Sequence, residues 1–473
     1  MTRNPAPLAA SLAAALLLSA CATAAPRPMA VEPTRPGPAF AGAPAEAQAA
    51  PRADWWRALN DPLLDRLVER VFAANRDLLA AEAEVRRARA LAAVEGWNLA
   101  PFGSVAAAGG RQRQAAFDTE GDFVSLDAQA SWEVDLFGRI RAGAAAAAAD
   151  AQGVEEARRG VMSAAAAEAA STYVALRGAQ SRLDAARANA TAQEQTVRLT
   201  EALLAAGRAT PLDVARARAQ LEATLSAIPP LEAEIDGDVA ALDVLAGGLP
   251  ADVRAALSPS AAPPAPPAQA EVGWPEDLLR RRPDIRQAEA RVQAAGARAR
   301  AARVDWWPRL SFLGTATSLA TGISGLGERQ GLSYNLGLQL DWPALDFRRN
   351  ALRLESARAG AEAEFLRYDK AVLSGVRDVE ASLSAFDAAR RATAQSEAAA
   401  AAARQAAELS RVRYREGVDA FFNVLDAERR LAEAEDALAV ARTRWALSYV
   451  RLGRALGVGW SDAPATRAVA SGR

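Results

Sequence analysis

Cysteine occurs once in 473 residues and histidine not at all. The one thiol, Cys21, ends the run Leu18-Ser19-Ala20-Cys21, behind an apolar stretch at 8–20 that only Arg3 precedes as a charge. A basic start, an apolar middle and small residues before a cut site read as a secretory signal. A single cysteine has no disulfide partner within the chain; at this place it is either a site of modification or a chance residue at the end of an ordinary signal peptide. The absence of histidine excludes imidazole acid–base catalysis, the usual catalytic triads and His-ligated metal sites. What remains is charge chemistry. Arg and acidic residues are interspersed along the helical stretches, as expected of long helices laced with i,i+4 pairs. The formal charge of −1 gives no electrostatic reason to expect nucleic acid.

The elements that must position these groups begin with two alternating segments. Residues 124–134 place Val124, Leu126, Ala128, Ala130, Trp132 and Val134 on one face, with Ser125, Asp127, Gln129, Ser131 and Glu133 on the other. Residues 332–342 repeat the pattern, with Asn335, Gln339 and Asp341 among the polar set and Trp342 at the end. Period-2 alternation over about 9–11 residues, closed by an interfacial Trp, is what a membrane-spanning barrel strand requires. No uninterrupted apolar run beyond the N-terminus is long enough for a transmembrane helix.

The chain is also duplicated. An offset of 207 pairs Asp77 with Asp284, Glu82 with Glu289, Val85 with Val292 and Pro101 with Pro308; an offset of 210 then pairs Phe137 with Phe347, Arg139 with Arg349, Gly207 with Gly417 and Leu221 with Leu431. The organisation is a signal peptide (1–20), an N-terminal tether rich in Ala and Pro (21–53), a first repeat (54–257), a Pro-rich linker (258–273), a second repeat (274–460) and a tail (461–473). Each repeat reads helix, strand, strand, very long helix, helix. The first has helix at 62–97, capped by Asp61-Pro62, strands at 102–111 and 123–134, helix at 138–206, and a return helix at 212–245 kinked by Pro229-Pro230. The second has 275–303, 310–320, 331–342, 344–416 and 418–456. Large residues every seven (Leu431, Leu438, Trp445, Leu452) alternate with small ones, the spacing of close-packed coiled helices. Gly207 with Thr210, and Gly417 with Asp419, mark the hairpin turns.

Four strands cannot close a barrel, and an open edge in lipid strands its backbone polar groups. Closure must come from further copies; three give twelve strands around a polar bore lined by Ser125, Asp127, Gln129, Glu133, Asn335, Gln339 and Asp341. The expected fold class is an α+β membrane protein, a trimeric 12-strand β-barrel continued by a long α-helical tunnel, with two structural repeats per chain.

Several motifs resemble the TolC-type outer-membrane factors, within them the NodT/OprM-like lipoprotein group. They are Asp54-Trp55-Trp56, Trp132-Glu133-Val134-Asp135-Leu136-Phe137-Gly138-Arg139, Arg281-Arg282-Pro283-Asp284-Ile285, Arg413-Tyr414-Arg415-Glu416-Gly417 and Gly457-Val458-Gly459-Trp460. The four residues ending at Cys21 match the bacterial lipobox, which implies diacylglycerol on the thiol, cleavage before Cys21 and an N-acyl chain; no other cofactor is expected. The family resemblance implies a homotrimer in the outer membrane, reaching into the periplasm. A periplasmic adaptor and an inner-membrane RND pump would dock there, for export of drugs or other small toxic compounds. It implies periplasmic tips at Gly207, Thr210, Gly417 and Asp419, and a gate built from Asp426, held by Arg429, with Phe422 one turn before. Glu428, where the family has Gln, is expected to add acid to the tip and favour cations. Two other readings share features: the duct of a type I secretion system, which usually lacks a lipid anchor, and a periplasmic helical tether, which leaves the alternating strands unexplained. An enzyme is not expected.

Overall fold

The computed structural model describes residues 35–41, 49–114 and 119–460; Cys21 and the tail at 461–473 lie outside them. The chain runs α1 (Pro62–Ala74), α2 (Arg76–Trp97), β1 (Phe102–Gln114), β2 (Thr119–Val134), α3 (Arg139–Ala205), α4 (Pro211–Ser226), α5 (Ile228–Leu245), α6 (Ala251–Leu257), α7 (Leu278–Arg281), α8 (Pro283–Val304), β3 (Arg309–Ala320), β4 (Leu332–Asp341), α9 (Phe347–Arg415) and α10 (Phe421–Ala455). At about 1.5 Å per residue, the 67 residues of α3 and the 69 of α9 each extend roughly 100 Å.

The four strands form one antiparallel sheet in the order β1-β2-β3-β4. The two hairpins have the same register. Phe102 faces Ser131, and Arg309 faces Asp341, their counterparts by offsets of 207 and 210. The next pairs, Gly103 with Ala130 and Leu310 with Leu340, obey the same arithmetic. The duplication therefore holds at single-residue resolution.

Three expected helices are divided. The stretch at 62–97 breaks at Asn75, whose side chain caps α2 through Leu78 N while its Nδ2 donates to Leu245 O at 2.9 Å. The return helix is not kinked at Pro229-Pro230 but interrupted at Ala227, so both prolines sit in the first turn of α5, where their missing donors cost nothing. Arg282 divides α7 from α8, with Pro283 opening the latter. Helix α10 starts at Phe421, three residues after its expected beginning.

The core lies where the halves meet. Trp55, Trp56, Leu64, Leu67 and Val71 from the N-terminal side pack with Tyr173, Leu176, Leu242, Ile285, Val379, Phe386 and Leu452. Most of the resemblance motifs are built into this core. Arg282, nearly buried, donates to Asp284 at 2.7 Å, to Asp378 at 3.3 Å and to Ala455 O at 2.9 Å. Burial alone would raise the Asp284 carboxyl, but the Arg282 guanidinium holds it below the usual range. Gly457 must lack a side chain because a Cβ would come within 2.6 Å of Arg282 Cγ, and its φ of +72° favours glycine in any case. Trp460 closes the region: its Nε1 donates to Arg281 O at 3.0 Å, and the Arg159 guanidinium lies 4.8 Å from its ring.

Candidate functional site

The sheet's two faces separate by chemistry, as alternation requires. On the polar face Gln129 stands opposite both Ser104 and Thr315, and Thr315 opposite Asn335. Asp127 accepts from Thr317 Oγ1 at 2.7 Å and from Ser125 Oγ at 2.9 Å; Gln129 Nε2 donates to Ser104 at 2.9 Å. Glu133 faces Ser311, which faces Gln339, while Asp341 faces Arg309. All seven residues expected along the bore thus share one face or its lower rim. The opposite face is apolar and uncovered: Val105, Tyr334, Leu336, Leu338 and Leu340 are all exposed, Leu336 at 78%. Trp132 stacks on Phe312 with ring centres 5.6 Å apart. Four strands of 10–16 residues with one dry face and one wet face suit a bilayer. No helix among the described residues is long and apolar enough to cross a membrane.

The strand-to-helix corner explains the Trp132–Arg139 motif residue by residue. Trp132 Nε1 donates to Leu99 O at 2.9 Å, and its repeat counterpart Trp342 donates to Trp306 O at 3.2 Å. Arg139 grips both oxygens of Glu133 at 2.8 Å. Asp135 accepts the free N–H groups of Ile140 and Arg141, at 3.1 and 2.9 Å, at the start of α3. Burial pushes that carboxyl up, but these donors and the Arg141 guanidinium outweigh it and hold it low. Phe137 stacks on Trp307 at 5.0 Å, and Gly138 turns the corner at φ +82°.

At the far end, both turns are Schellman motifs. Gly207 and Gly417 adopt φ of +74° and +73°; Arg208 N donates to Leu203 O at 2.8 Å and Val418 N to Arg413 O at 3.0 Å. Thr210 then forms a capping box with Asp213. In the second turn Ala420 replaces that cap, and Asp419 takes over: its Oδ1 accepts from Ala420 N at 2.9 Å and from Asn423, its Oδ2 from Arg413 at 3.3 Å. A small core of Val197, Ala217, Phe421 and Val424, flanked by Tyr414 and Leu221, binds the two hairpins together. Phe421 carries this contact and had no mark in the sequence reading; Phe422 beside it is 62% exposed.

On α10 the side chains sort into two stripes. Phe421, Val424, Glu428 and Leu431 are buried. Phe422, Asp426, Arg429 and Glu433 recur at i, i+4, i+7 and i+11 on another face, the spacing of one stripe. Arg429 donates to Asp426 at 2.9 Å and to Glu433 at 2.8 Å, and Arg430 to the other Asp426 oxygen at 2.8 Å. The hydrogen bond from Arg429, with Arg430 adding, holds the Asp426 carboxyl below its ordinary range. Glu428 contradicts its expected place. It is 2% exposed, accepts from Thr196 Oγ1 at 2.7 Å and from Arg411 Nε at 2.8 Å, and therefore adds no acid to the exposed stripe. Paired burial is the physical reason: a carboxylate enters a packed helix seam only with its countercharge. No group of Asp, Glu or Cys among the described residues is arranged to hold a metal.

The chain matches the outer membrane efflux protein family over residues 67–248 and 274–458, one match for each repeat. It is 31% identical to the outer membrane protein OprJ of Pseudomonas aeruginosa, over 97% of both chains. It is also 31% identical to the solvent efflux pump outer membrane protein SrpC of Pseudomonas putida, over 85% of this chain and 86% of that one. Among solved structures, the outer-membrane channel OprN aligns with a TM-score of 0.82 at 32% identity, covering 93% of this chain and 100% of its own. With both repeats matched and full-length relatives above 30%, this chain belongs to the outer membrane efflux protein family, a family of transport proteins of the outer membrane.

Proposed function

We propose that three copies assemble into a passive duct that carries small toxic compounds across the periplasm and outer membrane, with a periplasmic adaptor and an inner-membrane RND pump at its inner end. The observation that carries this reading is the sheet: four amphipathic strands with both edges unpaired within the chain, each hairpin running into a helix of roughly 100 Å. Only closure with further copies satisfies those edges in lipid. The cargo is set by the pump, since the bore offers generic hydroxyl, amide and carboxylate groups; the relatives include proteins named for solvent efflux and for pyoverdine export. Acylation of Cys21 would tie the N-terminus to the membrane and leave the tether to span the gap.

The Phe422–Asp426–Arg429 stripe is the resting constriction. Its ion pairs are exposed and so individually weak, which suits a closure that a docking adaptor can open. Purified protein in a planar bilayer should give small, discrete conductance steps, and Asp426→Ala should raise the resting conductance. A wild-type protein that never conducts would sink the duct; a variant with unchanged leak would remove Asp426 from the gate.

A further inference from the structure

The wet face of the sheet carries few charges, and one of them stands apart. Among the described residues its carboxylates are Asp127, Glu133 and Asp341. Glu133 is gripped by Arg139, and Asp341 stands opposite Arg309, both at the lower rim. Asp127 sits mid-strand, six residues from Glu133, which is about 20 Å of strand. Among the described residues its oxygens accept only from two hydroxyls, Thr317 at 2.7 Å and Ser125 at 2.9 Å, and no arginine or lysine pairs with it. Its own row across the sheet (Ala106, Thr317, Ser333) and the polar row below it are neutral.

A wet bore needs polar groups at this height, but not a charge. An asparagine would accept the same Thr317 hydroxyl and tie β2 to β3 equally well. The aspartate adds a full negative charge, because a carboxylate open to water is ionised at neutral pH. We propose that Asp127 is a cation-selecting station: three copies of it draw solutes bearing ammonium groups into the barrel and hold back carboxylates and other anions. This rests on the three-copy duct proposed above, but not on its gate.

With four strands from each copy, twelve strands about 4.8 Å apart and tilted about 40° make a ring of radius roughly 12 Å. Each carboxylate, reaching inward, then stands about 9 Å from the axis. In water, three unit charges at that distance enrich a monovalent cation on the axis about fivefold in about 10 mM salt, and deplete an anion by the same factor. In about 1 M salt, where charges are screened within about 3 Å, the enrichment is gone. The lower rim adds little, since its acids have arginines beside them and lie about two Debye lengths away at about 0.1 M. The selection is therefore local and erased by salt, unlike selection by size.

The potential can be read at the site itself, so that a closed tip does not matter. In full-length protein in lipid vesicles, Ser333→Cys puts a thiol on the wet face two strands from Asp127, and Leu336→Cys puts one on the dry face. The unsubstituted chain gives the background. Each is treated with a trimethylammonium-ethyl or a sulfonatoethyl methanethiosulfonate, with rates scaled to those of a small free thiol. In about 10 mM salt the cation should react about 5–10-fold faster than the anion at Ser333→Cys, and in about 1 M salt at nearly the same rate. Adding Asp127→Asn should bring the two rates together at both salt concentrations, and Asp127→Glu should retain the preference. Equal rates with Asp127 present, or a preference that survives Asp127→Asn, overturns the proposal and leaves the duct standing. A thiol at Ser333→Cys no more reactive than one at Leu336→Cys overturns the duct with it.

Discussion

Arg411 and Glu428 offer a measurement of what holds the tip helices together. Glu428 is 2% exposed and touches two partners, Thr196 on α3 and Arg411 on α9; its second oxygen has no hydrogen-bond partner. Arg411 is 35% exposed and can turn to water if released. The two residues are thus unequal. Arg411→Met leaves a buried carboxylate with one hydroxyl for company, a loss of about 3–5 kcal/mol when a buried pair is broken; the partly wet guanidinium argues for the lower figure. Glu428→Gln removes the charge but keeps an acceptor for Thr196, so about 1 kcal/mol or less is expected. Amide hydrogen exchange along residues 424–432 reads the difference directly, because these amides exchange through local opening of α10. At about 1.4 kcal/mol per tenfold, Arg411→Met should accelerate exchange roughly 100-fold and Glu428→Gln by less than about tenfold. The double variant should resemble Glu428→Gln, since no unpaired charge remains. Equal acceleration by the two single variants would refute the argument, as would an unaffected Arg411→Met.

Two further outcomes follow from particular contacts. A Cβ at Gly178 would stand 2.8 Å from Thr443 Cγ2 and closer still to its hydroxyl, so Gly178→Ala should destabilise the α3–α10 crossing by about 1–3 kcal/mol. Thr443→Ala should restore most of that loss in thermal melts of the double variant; no restoration would place the strain elsewhere. Burial, with Glu234 adding, pushes Asp238 on α5 from 3.8 up to about 6. The folded chain therefore holds this proton where the unfolded chain has released it, and stability falls as pH rises from 3.8 through about 6. Asp238→Asn should raise the melting temperature at pH 7.5 and have little effect near pH 4; an equal effect at both pH values would exclude the carboxyl as the cause.

The sequence and the fold agree most closely where a local rule has no competitor. Alternation located β2 and β4 because a two-sided environment acts on every residue in turn. Gly207 and Gly417 located the turns because a Schellman motif needs a left-handed residue there. The break at Asn75 was hidden because its second bond goes to Leu245, 170 positions away. Pro229 and Pro230 looked like a kink because composition does not say whether a proline is first in a helix or inside one. Glu428 was misplaced because the family motif sets it close to Asp426 in sequence, and closeness in sequence does not say which face of the helix a residue takes. Val424, Glu428 and Leu431 stand at i, i+4 and i+7 and form the buried row. The Asp426–Arg429 pair was singled out by the family resemblance, with the three-residue spacing only making the contact feasible; the second donor, Arg430, carried no such mark.

The bonds from Trp132 to Leu99 and from Trp342 to Trp306 tie the exit of each hairpin to its own approach. Each strand pair is therefore stitched at its base by residues about 35 positions apart, whereas joining β2 to β3 closes a loop through the whole of α3. Local closures come first on entropic grounds. Each hairpin is accordingly a unit with its own basal tie, and the junction between the two hairpins is the one that costs the most chain entropy to close.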